Sequence, residues 1–416
     1  MLVMNRKNVF LWTLYDFANS ITTVVFFLYF SQWLVVDKGV PDFWYNMIFT
    51  IGSVLLLATA PILGSIADKN GKQQTYLNSV TIFTFLFLLG ASLVTLFLSN
   101  NLLLAILFFG LGNYFYQFSF VFYNALLYYI APKNKLGKIS GIGQAGNWLG
   151  MITGLLITLP LASGAVYLFG EAGRAQTLLP AVILFILLAL PMLLFFKLPK
   201  RQESSSSINL REEYKNFWGK FKELIKSPSM GIFLLSYFFF NDAIITVQNN
   251  FPLYLENVFA VSDKTKSFLL VGVLATSALG AFFSGWLTDK IGIKKSLMAV
   301  LGSYLFVFPL MGLIHNFTVF VILAILMGFF YGATWTVSRT AMTALCPKDK
   351  LNFGFSFYTL FERFSTLLGP IAWGLIVTSL ASLGPSRYRV AVISITIFVI
   401  IGMFLLKKVK IEENPI

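Results

Sequence analysis

Cysteine and histidine are nearly absent from this chain of 416 residues, which has one of each. Cys346 on its own excludes an internal disulfide and any cysteine-built metal cage. The lone His315 falls where a long apolar run ends and reads as a boundary residue. With no His/Cys cluster, glycine-rich nucleotide loop or nucleophile elbow, the sequence offers no catalytic constellation and calls for no cofactor or metal. It is read as a non-enzyme. Charge is scarce too. Asp, Glu, Lys and Arg make up 12% of the residues, against 57% hydrophobic ones, and the mean hydropathy is +0.78. A soluble domain has to turn its exterior to water and cannot hide that much apolar surface.

What is abundant is long apolar runs of roughly 20 residues, the signal for helices that cross a bilayer. Twelve are read, at about 8–35, 43–67, 74–98, 102–130, 138–163, 176–197, 229–257, 266–288, 296–315, 317–345, 353–381 and 387–406. The runs are continuous rather than alternating, so helices are expected and a transmembrane barrel is not. No small-residue cleavage site follows a short apolar core near the start, so the first run reads as a retained helix.

The net charge of +14 would suit a nucleic-acid binder if it formed one patch. Instead the lysines and arginines gather in alternate loops: Lys69, Lys72, Lys133, Lys135, Lys290, Lys294, Lys348, Lys350 and the tails. The intervening loops hold only Lys38, Arg174, Lys264, Lys266, Arg387 and Arg389. That is the positive-inside pattern. It predicts a multi-pass protein of the cytoplasmic membrane with both termini inside, in contact with lipid and not with nucleic acid.

Between about 198 and 228 the apolar pattern stops. A polar run, Gln202–Ser207, reads as flexible linker. Behind it Leu210, Tyr214, Phe217, Trp218, Phe221, Leu224 and Ile225 recur at helical spacing, with Arg211, Lys215, Lys220, Lys222 and Lys226 on other faces. This predicts an amphipathic helix lying on the membrane surface. The chain is therefore divided into an N-terminal bundle at 1–198, a linker at 199–228 and a C-terminal bundle at 229–416.

One loop signature occurs twice. Gly64-Ser65-Ile66-Ala67-Asp68-Lys69-Asn70-Gly71-Lys72 follows the second run, and Gly285-Trp286-Leu287-Thr288-Asp289-Lys290-Ile291-Gly292 follows the eighth. Pro132-Lys133-Asn134-Lys135-Leu136 is repeated likewise as Pro347-Lys348-Asp349-Lys350-Leu351. The doubled G-x-x-x-D-K-x-G resembles the loop motif between helices 2 and 3, and 8 and 9, of major facilitator transporters. That likeness implies an all-α membrane protein with two six-helix bundles and a solute site lined by spans 1, 4, 7 and 10. It further implies that Gly64, Asp68, Gly71, Gly285, Asp289 and Gly292 form a conformational latch. A narrower likeness lies in Tyr15-Asp16-Phe17-Ala18-Asn19-Ser20, supported by Ser140–Gly150, Ser338-Arg339 and Leu368-Gly369-Pro370. These strings resemble the vacuole-effluxer-like branch, to which the vacuolar amino-acid exporter of yeast belongs. The chain departs from that branch at Glu362-Arg363 and at Asn147-Trp148, where Gly-Lys-like and Gly-Tyr pairs are expected.

Ionisable groups inside the spans are Asp16, Asp242, Arg339, Glu362 and Arg363. Each costs about 2.5–3.5 kcal/mol at mid-helix if left facing lipid, so they are expected to face one another or a wet cavity. Helical spacing groups Asp16 with Asn19, Asp242 with Thr246 and Asn249, Gln117 with Asn113 and Asn124, and Arg339 with Trp335 and Tyr331. The solute-binding candidates are Asp16, Asn19, Gln117, Asn124, Asp242, Asn249, Trp335 and Arg339. The proton-coupling candidates are Asp16, Asp242, Glu362 and Arg363. A bland reading stands beside these: Asn19 and Asn124 as helix-to-helix hydrogen bonds of about 0.6 kcal/mol, and Glu362–Arg363 as a structural ion pair.

The expected activity is secondary active transport of a small organic solute, an amino acid or related metabolite, by alternating access with a proton or another coupling ion, in a monomer. Efflux suits the narrower likeness. The rival readings are a facilitator or exporter for sugars, siderophores or drugs, and a non-transporting receptor or scaffold.

Overall fold

In a computed structural model the chain is mostly helical over its described residues, which are 6–69, 72–130, 136–197, 210–346 and 351–411. Six helices come first: α1 (Arg6–Val25), α2 (Asp42–Lys69), α3 (Gln73–Phe97), α4 (Leu102–Ile130), α5 (Leu136–Ala162) and α6 (Ala175–Phe195). A short α7 (Leu210–Leu224) leads to α8 (Pro228–Phe259), α9 (Asp263–Ile291), α10 (Ile293–Leu313), α11 (Phe317–Leu345), α12 (Leu351–Phe364), α13 (Leu368–Ser379) and α14 (Ser386–Lys408). Two wider, π-helical stretches, Phe26–Phe30 and Trp33–Asp37, carry α1 onward. Among the described residues twelve segments are long and apolar enough to cross a membrane, and they match the twelve runs read from the sequence. Side chains such as Phe282, Phe306 and Leu103 stand largely exposed on them, the surface a bilayer would cover.

One expectation is corrected. The eleventh run, read as a single helix over 353–381, is two helices, α12 and α13, separated by Ser365–Leu367. Pro370 has no N–H, and its ring excludes the carbonyl four residues earlier, which weakens the helical ladder at Thr366, while Asp242 of α8 serves the N–H groups of the new helix start.

Helix ends follow their sequence cues. Asn101 accepts from Leu104 N at 3.3 Å, Ser262 from Thr265 N at 3.3 Å and Asn316 from Val319 N at 3.2 Å, capping α4, α9 and α11. Pro228 begins α8, where a missing N–H costs nothing. Gly292 separates α9 from α10 at φ +90°, a conformation that glycine alone adopts without strain.

The contacts divide the chain into two compact units. Unit 1 consists of the residues up to Val40 together with Leu55–Phe217, and unit 2 of Pro41–Val54 together with Trp218 onward. In unit 1, α5 lies against α1 along a row of glycines. A Cβ on Gly143, Gly146, Gly150 or Gly154 would strike Trp12, Thr13, the Phe17 carbonyl or the Ile21 carbonyl. In unit 2, α9 and α11 approach in the same way, with Gly280, Gly328 and Gly332 set against the carbonyls of Phe329, Val273 and Ser277.

Unit 2 also holds the first half of α2, and one face of that segment makes polar contacts. Tyr388 Oη donates to Asp42 Oδ2 at 2.8 Å. Asn46 and Asn250 exchange side-chain amide hydrogen bonds at 3.0 and 2.9 Å. Thr50 Oγ1 donates to the Leu367 carbonyl at 3.2 Å, and the Ser53 and Thr366 hydroxyls are 2.5 Å apart. The amphipathic α7 is present as expected, and Phe221 near its end stacks on Phe357 of α12 at 5.0 Å.

Candidate functional site

In unit 1 the glycine row decides where Asp16 sits. Because α5 presses against α1, Asn147 Nδ2 reaches Asp16 Oδ1 at 3.1 Å. Ser20 Oγ donates to the Asp16 carbonyl at 2.7 Å. Asp16 is mostly buried, and its neighbours are held stiffly. Trp12 Nε1 donates to the Tyr123 carbonyl at 3.2 Å and Tyr123 Oη to the Trp12 carbonyl at 3.1 Å. The two rings stack at 4.6 Å with planes 2° apart. Tyr15 Oη and Thr81 Oγ1 lie 2.7 Å apart on the next face. A carboxylate in such a frame has a fixed direction and little room to turn.

Asn19, one turn further along α1, is buried, and its Nδ2 makes no hydrogen bond of ordinary geometry among the described residues. It lines a small cavity inside unit 1 with Thr22, Thr23, Thr84, Asn113 and Tyr116, floored by Phe26, Phe109 and Phe185. The cavity leaves about 20 Å³ free, room for a single water. The hydroxyls of Thr23 and Thr84 already donate to the carbonyls of Asn19 and Val80, and Thr22 donates to that of Ala181. Those oxygens are left to accept. Gln117 and Asn124 are partly buried on α4, outside the residues that line this cavity.

In unit 2 three charged side chains from two helices share one neighbourhood. Arg363 Nη2 is 3.5 Å from Glu362 Oε1 at the end of α12, and Arg339 of α11 acts on Glu362 electrostatically. Aromatic rings surround them. Tyr331 meets Trp335 edge to face at 6.0 Å, and Tyr237 stacks on Tyr358 at 4.4 Å. All three charged side chains are partly buried. Two cations against one anion leave the cluster with a net positive charge.

Asp242 does not join that group. It is fully buried on α8, and Oδ2 accepts from Leu368 N at 3.1 Å and Gly369 N at 2.8 Å, while Thr246 Oγ1 lies 3.5 Å from Oδ1. Asn249 is buried as well, and its carbonyl accepts from Tyr45 Oη at 3.4 Å. Of the residues singled out in the sequence, the structure thus brings Arg339, Glu362 and Arg363 together, sets Trp335 against Tyr331, and gives Asp16 and Asp242 separate partners.

Several residues that make the contacts described above were not among the candidates. Asn147 stood out only as a departure from the resembling branch, and Tyr237 and Tyr358 were lost among many aromatics. Asn46 and Asn250 gave no signal, since a buried amide pair far apart in the chain leaves no local pattern. Of the expected latch, a Cβ on Gly64 would lie 3.4 Å from Val121 and one on Gly285 3.8 Å from Thr336, ordinary van der Waals contact at both positions. Gly71 and the side chains of Asp68 and Asp289 lie outside the described residues.

Comparisons with known proteins agree with this architecture. The family model of the Major Facilitator Superfamily matches residues 17–262 and 235–415. An uncharacterized MFS-type transporter of Bacillus subtilis, YxiO, is 25% identical over 421 residues, covering 97% of this chain and 95% of its own. Autophagy-related protein 22 of Yarrowia lipolytica is 28% identical over 196 residues, 45% of this chain and 33% of that one. Among solved structures, a bacterial homolog of the human lysosomal transporter Spinster superposes with a TM-score of 0.73 at 16% identity, over 96% of this chain and 95% of that one. At that identity the match speaks for the fold alone.

Proposed function

From the premise that the chain belongs to the Major Facilitator Superfamily, a family of membrane transporters, we propose that it carries a zwitterionic small solute, an amino acid or close relative, by alternating access. The observation that carries this reading is the convergence of Arg339, Glu362 and Arg363 among aromatic side chains in unit 2. A guanidinium pair with surplus positive charge suits a carboxylate, which it binds through paired N–H donors. The aromatic rings of Tyr331 and Trp335 suit the apolar remainder of such a solute. A charged group that leaves water for a membrane interior needs partners of this kind.

The coupling ion in this reading is a proton. Asp16 is its proposed carrier, since its carboxylate is mostly buried, held by a neutral amide and placed among aromatic rings. Glu362 is the second carboxylate of the scheme: a solute carboxylate arriving at Arg363 competes with it for the same cation. Solute binding and proton binding then favour each other, the minimum needed for coupled transport. The termini are assigned to the cytoplasmic side of the cytoplasmic membrane, supported by the distribution of Lys and Arg. The protein is expected to work as a monomer.

The test is counterflow in proteoliposomes with a panel of radiolabelled amino acids, repeated with sugars and nucleosides. Accumulation of at least one amino acid, lost in Arg339→Gln and Arg363→Gln, is the expected result. Accumulation confined to sugars or nucleosides would replace the solute class. Asp16 loses its role as carrier if Asp16→Asn keeps pH-driven flux, and proton coupling itself fails if the wild type shows no flux driven by a pH gradient.

A further inference from the structure

We infer that Asp242 is a positioning residue: by capping the second half of the divided eleventh span, it sets the direction in which Glu362 and Arg363 point. The inference rests on the reading that this pair meets the solute, and it concerns what holds the pair in place. A helix that starts inside a membrane exposes four backbone N–H groups with no carbonyl partner of their own, and they call for acceptors from elsewhere in the protein. The start of α13 is such a place, since α12 has ended at Phe364 and α13 begins at Leu368. Asp242 comes from a different helix and takes two of those N–H groups on one oxygen, at 3.1 and 2.8 Å. Its negative charge also faces the positive end of the α13 dipole.

The surroundings leave no slack in this arrangement. A Cβ on Gly369 would overlap Thr246 Oγ1 and lie 2.7 Å from Asp242 Oδ1, so only glycine lets the helix start come this close to α8. On the other side, α2 grips the same break through Ser53 and Thr366 and through Thr50 and the Leu367 carbonyl. The last turn of α12 is tied to the break from within. Ser365 Oγ donates to the Phe361 carbonyl at 2.7 Å, and Thr366 Oγ1 donates to the Arg363 carbonyl at 3.2 Å. Glu362 and Arg363 therefore sit on the final turn before a break whose far side Asp242 holds. With Oδ2 committed to two backbone amides, Oδ1 beside Thr246 and the residue fully buried, Asp242 serves the backbone and not the solute.

The test needs no solute. Hydrogen exchange of the full-length protein in detergent is followed by mass spectrometry for Asp242→Ala, Asp242→Asn and Gly402→Ala. The last crowds Phe240 of α8 from α14 and loosens the same helix without touching the cap. Asp242→Ala should speed exchange of the amides at 365–369 by roughly tenfold or more, as expected for lost hydrogen bonds to a charged acceptor. Asp242→Asn keeps an acceptor oxygen and should restore most of the protection, whereas Gly402→Ala should lower thermal stability without this local change. In a Cys346→Ser background, the maleimide labelling rate of Glu362→Cys should change when Asp242→Ala is added, and stay unchanged with Gly402→Ala. Should Asp242→Ala not fold, Gly369→Ala keeps the carboxylate but pushes the helix start away, and it must raise the same exchange. Unchanged protection at 365–369, or an unchanged labelling rate, overturns the inference. Full counterflow in Glu362→Gln and Arg363→Gln would instead remove the solute role of the pair and leave the cap standing.

Discussion

Asn147 shows how a single residue can be conspicuous in a sequence without being interpretable there. Its mismatch with the resembling branch is plain from the string Gly146-Asn147-Trp148, but its partner lies 131 positions away in the chain. Only the close packing of α5 on α1 identifies that partner as Asp16. A neutral donor to a buried carboxylate contributes about 1.5–3 kcal/mol. Asn147→Ala should therefore cut proton-driven flux by roughly tenfold, and Asn147→Asp, which sets a second carboxylate beside the first, should cut it further. Uptake driven by a pH gradient in proteoliposomes, with whichever solute the counterflow panel identifies, checks both, and undiminished flux in Asn147→Ala would mean that the setting of Asp16 is irrelevant. A second residue, Glu171, lies in the loop before α6, outside the spans. Partial burial pushes its carboxyl up, but hydrogen bonds from Lys38 and Ser99 outweigh that and hold it below the ordinary value; the Lys38 contact is 2.8 Å. A depressed carboxyl contributes stability that is complete above its unfolded value, near 4.3, and that is lost as pH falls through its folded value. The thermal stability gap between wild type and Glu171→Gln should be full at neutral pH and should close under acid conditions below about pH 4.

Among the elements, the helices were legible because each apolar run must be long enough to cross a bilayer and has few alternatives. The amphipathic α7 was legible for the same kind of reason, its apolar positions recurring at helical spacing. The break in the eleventh span was not read, although its chemistry was in view at Gly369-Pro370. Proline alone is a poor guide here, since Pro180, Pro191, Pro252 and Pro309 all sit inside unbroken helices. What distinguishes Pro370 is a carboxylate on another helix, ready to serve the new helix start. No local pattern in the chain announces that. The glycine row on α5, Gly143, Gly146, Gly150 and Gly154, was not read as a packing face, because the helix it meets is not adjacent in the chain. It makes a sharp prediction. Gly150→Ala drives a methyl into the Phe17 backbone and should destabilise the protein by about 1–3 kcal/mol. Gly302→Ala meets nothing within 4 Å and should be neutral or mildly stabilising. Thermal unfolding in detergent separates the two, and equal effects would remove the packing explanation.

For the molecule as a whole, membrane class and fold were legible from composition, repeat and charge distribution, because those are averages over many residues. The grouping of side chains into sites was not, because it depends on a few long-range approaches such as that of Asp242 to α13. The division of α2 belongs to this scale. Its first half packs with unit 2 and its second half with unit 1, the assignment changing after Val54. Replacing Asn46 and Asn250 together by alanine should change the turnover rate more than solute affinity, and cost less stability than the two single changes added. Turnover and affinity both unmoved would show that the amide pair takes no part in the cycle.

The bonds on that face of α2 are made by neutral amides and hydroxyls, apart from the one at Asp42. Each of those neutral groups, once parted, can be taken up by water at little net loss. A seam of interlocked leucines would resist being wetted, and a row of ion pairs would strand bare charge when pulled open. Contacts built from groups this indifferent to their partner can part and re-form without stranding a charge or wetting an apolar seam.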